Sequence, residues 1–480
     1  MKKTKENVPV EVKASFAYTV CSVIQQSLSI ITLPLFTRLL TKAQYGQFAV
    51  YSSWLAIVMI FTTLNLPYGS YNTALIKYER ERDKYISSIQ WLCIGLAGIG
   101  LVVYIPFSTQ LNSIFTLPTE LMIIMIIEAM ATASLQFWFG KQRFDYKYKG
   151  VVFVTLIISV TSPFFAILLV SMTTEKGYAR ILGYSLINIV AGFIFAGFNL
   201  FKGNFAFKKE YVKYALTFNI PLIPYYLSQT VFNQSDRLMI NKMCGADKAA
   251  VYSVAYSLAV VLVFVLNAIN NSYVPWFYKK LKTGAVQENG KISLMIAALM
   301  AFLLMGVIVF APEIITIMAG RKYVEAVGVV PPVAMSLLLL FYAQLFINVE
   351  LFFEKKTMMV ISTLFAAALN IVLNAIFIKS MGYIAAGYTT LASYIVFAAA
   401  NYFSCKKILQ NEEIDKPVFD IKGMIILFIL MFTCATIAGA LYQVLVARIV
   451  IVVIVITITI LFRKKIIGLF KSIKIQIEDD

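Results

Sequence analysis

Only an all-α polytopic membrane protein accounts for three features of this 480-residue sequence. It is 60% hydrophobic and 14% charged with a mean hydropathy of +0.80, it repeats apolar runs of spanning length, and its basic residues alternate between the segments joining those runs. Globular domains carry about 25% charged residues. A soluble chain this apolar would have no means of covering its surface. A spanning helix needs ~20 mostly apolar residues, and by that measure there are about 14 transmembrane helices. The candidates lie near 15–36, 45–65, 86–107, 119–139, 150–171, 180–201, 214–236, 249–274, 292–311, 329–351, 358–378, 382–402, 423–441 and 444–462.

The connections orient these spans. Of the 42 Lys and Arg, 31 fall in the amino-terminal segment, every second connection and the carboxy-terminal segment, and 11 in the alternate set. That asymmetry is the positive-inside signature and puts both termini in the cytoplasm. It also absorbs most of the net charge of +18, so no nucleic-acid partner is expected. The amino-terminal "MKKTKENVPVEVK" has no short apolar core before a cleavage site and reads as a cytoplasmic lead-in. The terminal "RKKIIGLFKSIKIQIEDD" is basic and amphipathic, suited to lie along the inner membrane surface.

Several chemistries are excluded. There is no histidine, and the five cysteines (Cys21, Cys93, Cys244, Cys405, Cys434) are scattered without CxxC spacing, so neither a metal site nor a disulfide framework is implied. "GAVQENGKI" (284–292) has five residues between its glycines and Ile in place of the P-loop Ser/Thr, which excludes a built-in ATPase. None of the connections is long enough to hold a catalytic domain, and we expect no enzyme. "YERERDKY" (78–85) reads as a solvated, positive-inside loop.

The chain repeats itself. "PLFTRLLTKAQYGQFAVYSSW" places Arg38 at the end of a span, followed by "AVYS"; "SDRLMINKMCGADKAAVYSVAYS" does the same with Arg237. The offset of about 200 residues equals six spans. An even number makes the copies parallel, related by an axis along the membrane normal. Two pseudo-symmetric six-helix lobes around a central cavity, plus a terminal helix pair, are therefore expected. The lobes are 1–202 and 203–410, and spans thirteen and fourteen with the basic tail occupy 411–480.

At these residues the chain resembles a known family. "PLFTRLLTKAQYGQFAVYSS" and "NQSDRLMINKMCGADKAAVYSVAYS" are similar to the two signature regions of polysaccharide-biosynthesis flippases of the O-antigen (Wzx) type, within the multidrug/oligosaccharidyl-lipid/polysaccharide exporter superfamily. The similarity covers spans one to twelve. Spans thirteen and fourteen are similar to those of the lipid II flippase branch, where the final pair helps form a groove for a lipid tail. The resemblance implies transfer of an undecaprenyl-diphosphate-linked oligosaccharide from the cytoplasmic to the periplasmic leaflet of the bacterial inner membrane, by alternating access of the two lobes. It implies the lipid-linked oligosaccharide and membrane lipid as partners, with a polysaccharide polymerase and assembly proteins alongside. No cofactor is expected beyond a coupling H⁺ or Na⁺. A multidrug/cation antiporter and a lipid II flippase remain the alternatives.

The polar residues inside the spans are the candidate site. In span seven, Tyr226, Gln229, Asn233, Asp236 and Arg237 follow i, i+3, i+4 spacing and form one stripe. Lipid contact there is unfavourable, since an acid or base at a helix centre costs ~2.5–3.5 kcal/mol even on insertion scales. Counting along the helix puts Asp236 and Arg237 at its outer end. Arg237 and its repeat mate Arg38 have two functional readings: bidentate grip of a diphosphate, or a gate latch through Asp236 or a carboxylate of the other lobe. Snorkelling to the interface is the structural alternative. Gln25, Gln26 and Ser29 form the matching stripe of span one, suited either to sugar hydroxyls or to holding helices together. Glu128, about mid-span in "LMIIMIIEAMATA", is the ion-coupling candidate; a protonated, hydrogen-bonded structural acid is its rival. Asn267, Asn270, Asn271, Gln344, Asn348, Asn370 and Asn374 are weaker members of this class. Glu350 and Glu354 read as interfacial. Pro221 and Pro224 should kink span seven.

Overall fold

The structure, a computed structural model, describes residues 10–284, 286–414, 416–444 and 450. The amino-terminal lead-in, span fourteen and the basic tail lie outside the described residues. Those described are helical, with no strand among them. From the amino-terminal side come α1 (Val10–Leu39), α2 (Lys42–Thr63), α3 (Tyr71–Lys77), α4 (Arg82–Tyr104), α5 (Ser108–Phe115) and α6 (Thr119–Phe144). Next are α7 (Tyr148–Met172), α8 (Lys176–Lys202), α9 (Lys209–Asn219), α10 (Ile223–Cys244) and α11 (Ala246–Thr283). Then follow α12 (Asn289–Val309), α13 (Ala311–Met318), α14 (Val330–Phe352), α15 (Thr357–Met381), α16 (Ala385–Asn411) and α17 (Ile421–Ala440).

Among the described residues, 11 helices are long and apolar enough to cross a membrane. Two expected spans form helices but fall outside that set. Span twelve is α16, whose apolar content is diluted by buried Thr389, Thr390, Ser393 and Asn401. Span seven is broken. Pro221 lies in a 3-10 turn over Ile220–Leu222 that separates α9 from α10, and Pro224 sits in the first turn of α10. Each proline lacks a donor that a continuous helix would need, while the first turn of a new helix tolerates it. The break is pinned by Asn219, fully buried, whose amide donates to the Ser70 hydroxyl at 2.8 Å and to its own Ala215 carbonyl at 2.8 Å. Helix α10 also runs on to Cys244, so Asp236 and Arg237 lie two turns before its end, not at the end as counting suggested.

The chain groups into two compact units, 1–253 with 371–383, and 254–370 with 384–480. In the first, "TKAQ" after α1 forms a capping box. The Gln44 amide donates to the Thr41 hydroxyl at 3.2 Å and the Thr41 amide to the Gln44 side chain at 3.0 Å, which satisfies two donors that a helix start leaves unpaired. Gly46, one turn later, packs against the Ala246 carbonyl at the start of α11, so close that a Cβ would lie 2.0 Å from it. Gly183 and Gly192 of α8 do the same against Ala166 of α7 and Ala131 of α6. Backbones meeting at small residues maximise dispersion where lipid removes the hydrophobic drive between helices.

"YERERDKY", read as a solvated loop, is a 3-10 turn and the start of α4, with Glu79 and Arg80 exposed. Its alternating charges reach different helices: Glu81 pairs with Lys84 and Lys208 at 2.7 Å each, Arg82 with Asp145 at 3.4 Å, and Asp83 with Lys141. Hydrogen bonds to Glu81 and Tyr211 hold the Lys208 ammonium pKa above its usual value. Beneath the charges, Tyr71, Tyr78, Tyr85 and Tyr211 pack ring to ring, with centroids 4.5–6.5 Å apart. In the second unit, α14 packs along α16 and is buried over most of its length.

Candidate functional site

Two buried carboxylates in the first unit each meet a tyrosine, and the two tyrosines are repeat mates. Tyr51 of α2 and Tyr252 of α11 are the tyrosines of the two "AVYS" motifs. Tyr51 Oη donates to Glu128 Oε2 at 2.7 Å, and Tyr252 Oη donates to Asp236 Oδ2 at 2.5 Å. Both tyrosines and both acids are buried. The repeat therefore reproduces the donor but not the acceptor, because Glu128 comes from α6 and Asp236 from α10.

Glu128 is saturated with donors. Ser185 Oγ of α8 donates to Oε2 at 2.6 Å and Asn188 Nδ2, one turn on, to Oε1 at 2.8 Å. With Tyr51 these make three donors from two neighbouring helices. Such an arrangement offsets the desolvation of a carboxylate, since hydrogen bonds to a charged group contribute about 1.5–3 kcal/mol each. Asp236 also accepts from Asn374 Nδ2 of α15 at 2.7 Å, so one weaker member of the sequence set joins the pair.

The remaining stripe of span seven divides. Gln229 and Asn233 are exposed; Asn233 Nδ2 donates back to the Gln229 carbonyl at 2.8 Å, and Gln229 Nε2 to Tyr225 Oη at 3.3 Å. Arg237, half-buried, donates from Nη1 to Gln234 Oε1 at 2.7 Å, and Ser53 Oγ of α2 donates to the same oxygen at 3.0 Å. Gln234 thus ties the guanidinium to α2. Arg38 lies exposed in the last turn of α1. Gln25 donates to Ser159 Oγ of α7 at 3.0 Å, a contact between helices, and Gln26 is half-buried. In the second unit, Asn270 Nδ2 donates to Gln344 Oε1 at 2.5 Å and Asn370 Nδ2 to Thr390 Oγ1 at 3.1 Å.

Three features escaped sequence reasoning. The tyrosines were visible as the repeat marker itself, yet their phenols are what the repeat carries. Arg180, counted only as an orienting charge, is 6% exposed, and its guanidinium lies over Phe36, Tyr45 and Phe48 at 4.2, 4.4 and 3.9 Å from the ring centroids. Its Nε and Nη1 have no hydrogen-bond partner, so ring faces carry the charge. Glu350, read as interfacial, is the third, and it is packed inside the protein. It is 0% exposed, whereas Glu354 in the following turn is exposed.

The helical architecture and the 11 apolar helices of spanning length among the described residues define a multi-pass membrane protein. Residues 12–281, over half of the chain, match the family described as polysaccharide biosynthesis protein, and the chain belongs to that family. A protein of the Lsg locus of Haemophilus influenzae is 22% identical over 278 residues, 56% of this chain and 66% of that relative. An uncharacterized membrane protein of the same organism is 19% identical over 284 residues, 58% of this chain and 67% of that one. In fold, the chain is similar to the lipid II flippase MurJ in an inward closed conformation, with a TM-score of 0.68 and 15% identity over 94% of this chain and 99% of that one. It is also similar to an inward-facing multidrug resistance MATE family transporter of the MOP superfamily, with a TM-score of 0.59 and 13% identity over 81% and 96%. It shares the fold of both.

Proposed function

We propose that this protein flips a polyprenyl-diphosphate-linked oligosaccharide, the repeat unit of a surface polysaccharide, from the cytoplasmic to the periplasmic leaflet of a bacterial inner membrane. The family match over residues 12–281 carries this reading. Arg237 is the residue for the diphosphate, because it is half-buried on the polar stripe and its fork is oriented from one side by Gln234. Asp236, fixed by Tyr252 and Asn374, couples that stretch of α10 to α11 and α15. A change of pairing at Asp236 would therefore be felt on three helices, as a gate requires. Gln229 and Asn233 supply exposed amides for sugar hydroxyls, and Arg38, Gln25 and Gln26 complete the polar lining. Glu128 is the coupling acid: binding a proton or Na⁺ there competes with three donors and loosens the α2–α6–α8 junction.

Cells lacking the native gene and carrying Arg237→Ala should insert the protein at normal level and lose export of the surface polysaccharide. Normal export in that strain removes Arg237 from the site. The same strains separate the alternatives. Rescue of cell-wall growth would favour a lipid II flippase, and drug resistance without polysaccharide export would favour a cation antiporter.

A further inference from the structure

Glu350 belongs to neither tyrosine pair. It lies two residues before the end of α14, fully buried, and both carboxylate oxygens are without a hydrogen bond. Its polar neighbours are the Ser404 hydroxyl of α16 and the Met359 amide of α15. The titratable group facing it is the Cys405 thiol of α16, itself 1% exposed. No charged side chain of α12, α15, α16 or α17 forms an ion pair with it among the described residues.

A cavity of about 610 Å³ opens between the end of α14, the start of α15 and the last turns of α16. Ser404 is part of its wall, and Glu354, Lys355, Lys407 and Glu412 are the charged groups around it. The same serine therefore borders the cavity and stands next to the buried acid. An ionised carboxylate with no donor and no counter-ion costs several kcal/mol to bury.

We propose that Glu350 is a proton-binding site of the second unit, loaded from this cavity through Ser404. In the state described here it holds the proton. Release passes the proton from the carboxyl O–H to the Ser404 hydroxyl oxygen as that hydroxyl gives its own proton to water in the cavity, leaving a carboxylate and a hydronium ion; loading is the reverse. Nothing in this step rests on which lipid is moved, although its use as a driving force rests on the flippase reading.

The test uses the full-length protein purified in detergent and dicyclohexylcarbodiimide, which adds to protonated carboxyls in apolar surroundings. The adduct is located by peptide mass spectrometry at a series of pH values from roughly 5 to 9. Adduct on Glu350 that falls several-fold as pH rises, and forms more slowly in Ser404→Ala, supports the proposal. An unlabelled Glu350 in the folded protein, or labelling independent of both pH and Ser404, overturns it and leaves a packing residue. In proteoliposomes that flip lipid-linked oligosaccharide, Glu350→Gln should flatten the dependence on a pH gradient, and an unchanged dependence removes Glu350 from coupling. If the wild-type protein moves no such lipid, the flippase reading fails while the labelling result still stands.

Discussion

Glu128 and Glu350 are both buried carboxylates on apolar helices, yet their surroundings are opposite. Glu128 receives Tyr51, Ser185 and Asn188, whereas Glu350 receives no hydrogen bond. The first is tied by hydrogen bonds to two neighbouring helices and the second is not. Burial alone therefore does not say what an intramembrane acid does; the donor count does.

Replacing each acid by leucine gives the widest contrast. Glu128→Leu strands two buried donors and the half-buried Asn188 amide and should lower stability by about 2–5 kcal/mol, read as the thermal unfolding midpoint of the detergent-purified protein. Glu350→Leu strands none and should be neutral or stabilising, as are many replacements of unpartnered buried polar groups by apolar side chains. Equal losses at the two positions would erase the distinction. Tyr51→Phe and Tyr252→Phe are smaller steps, each removing one donor from a carboxylate at a cost of about 0.5–2 kcal/mol. The Tyr51 effect should vanish in a Glu128→Leu background, and persistence there would mean the phenol acts through packing. Ser404→Ala is the smallest, within about 0.5 kcal/mol of wild type, so its effect on carbodiimide labelling of Glu350 reads proton access without a stability change.

Much of this was legible in the sequence, and the failures have definite causes. Apolar runs place spans well because the bilayer imposes one length. They misplace α10 because its end depends on Cys244 and Gly245 beyond the apolar run, and because two prolines start a new helix instead of bending an old one. Counting along a span gives depth but not what lies beside a residue. Glu350, close to a span end, read as interfacial, while the packing of α14 along α16 buries it completely. For Glu128 the three donors come from residues 77, 57 and 60 positions away, which no local pattern reveals. The repeat came closest, since "AVYS" marks both tyrosines without indicating which acids they meet. Arg180 was hidden for a related reason: Phe36, Tyr45 and Phe48 surround it only once α1, α2 and α8 have packed.

The most direct test of the account is lipid movement by the purified protein. Polyprenyl-diphosphate oligosaccharide from the cells that make the protein, fluorescently tagged on its sugar, is placed in proteoliposomes and followed by its accessibility to an impermeant quencher. The account predicts transfer well above that of empty liposomes, lost in Arg237→Ala and sensitive to a pH gradient. Transfer no faster than in empty liposomes, or undiminished in Arg237→Ala, would contradict it.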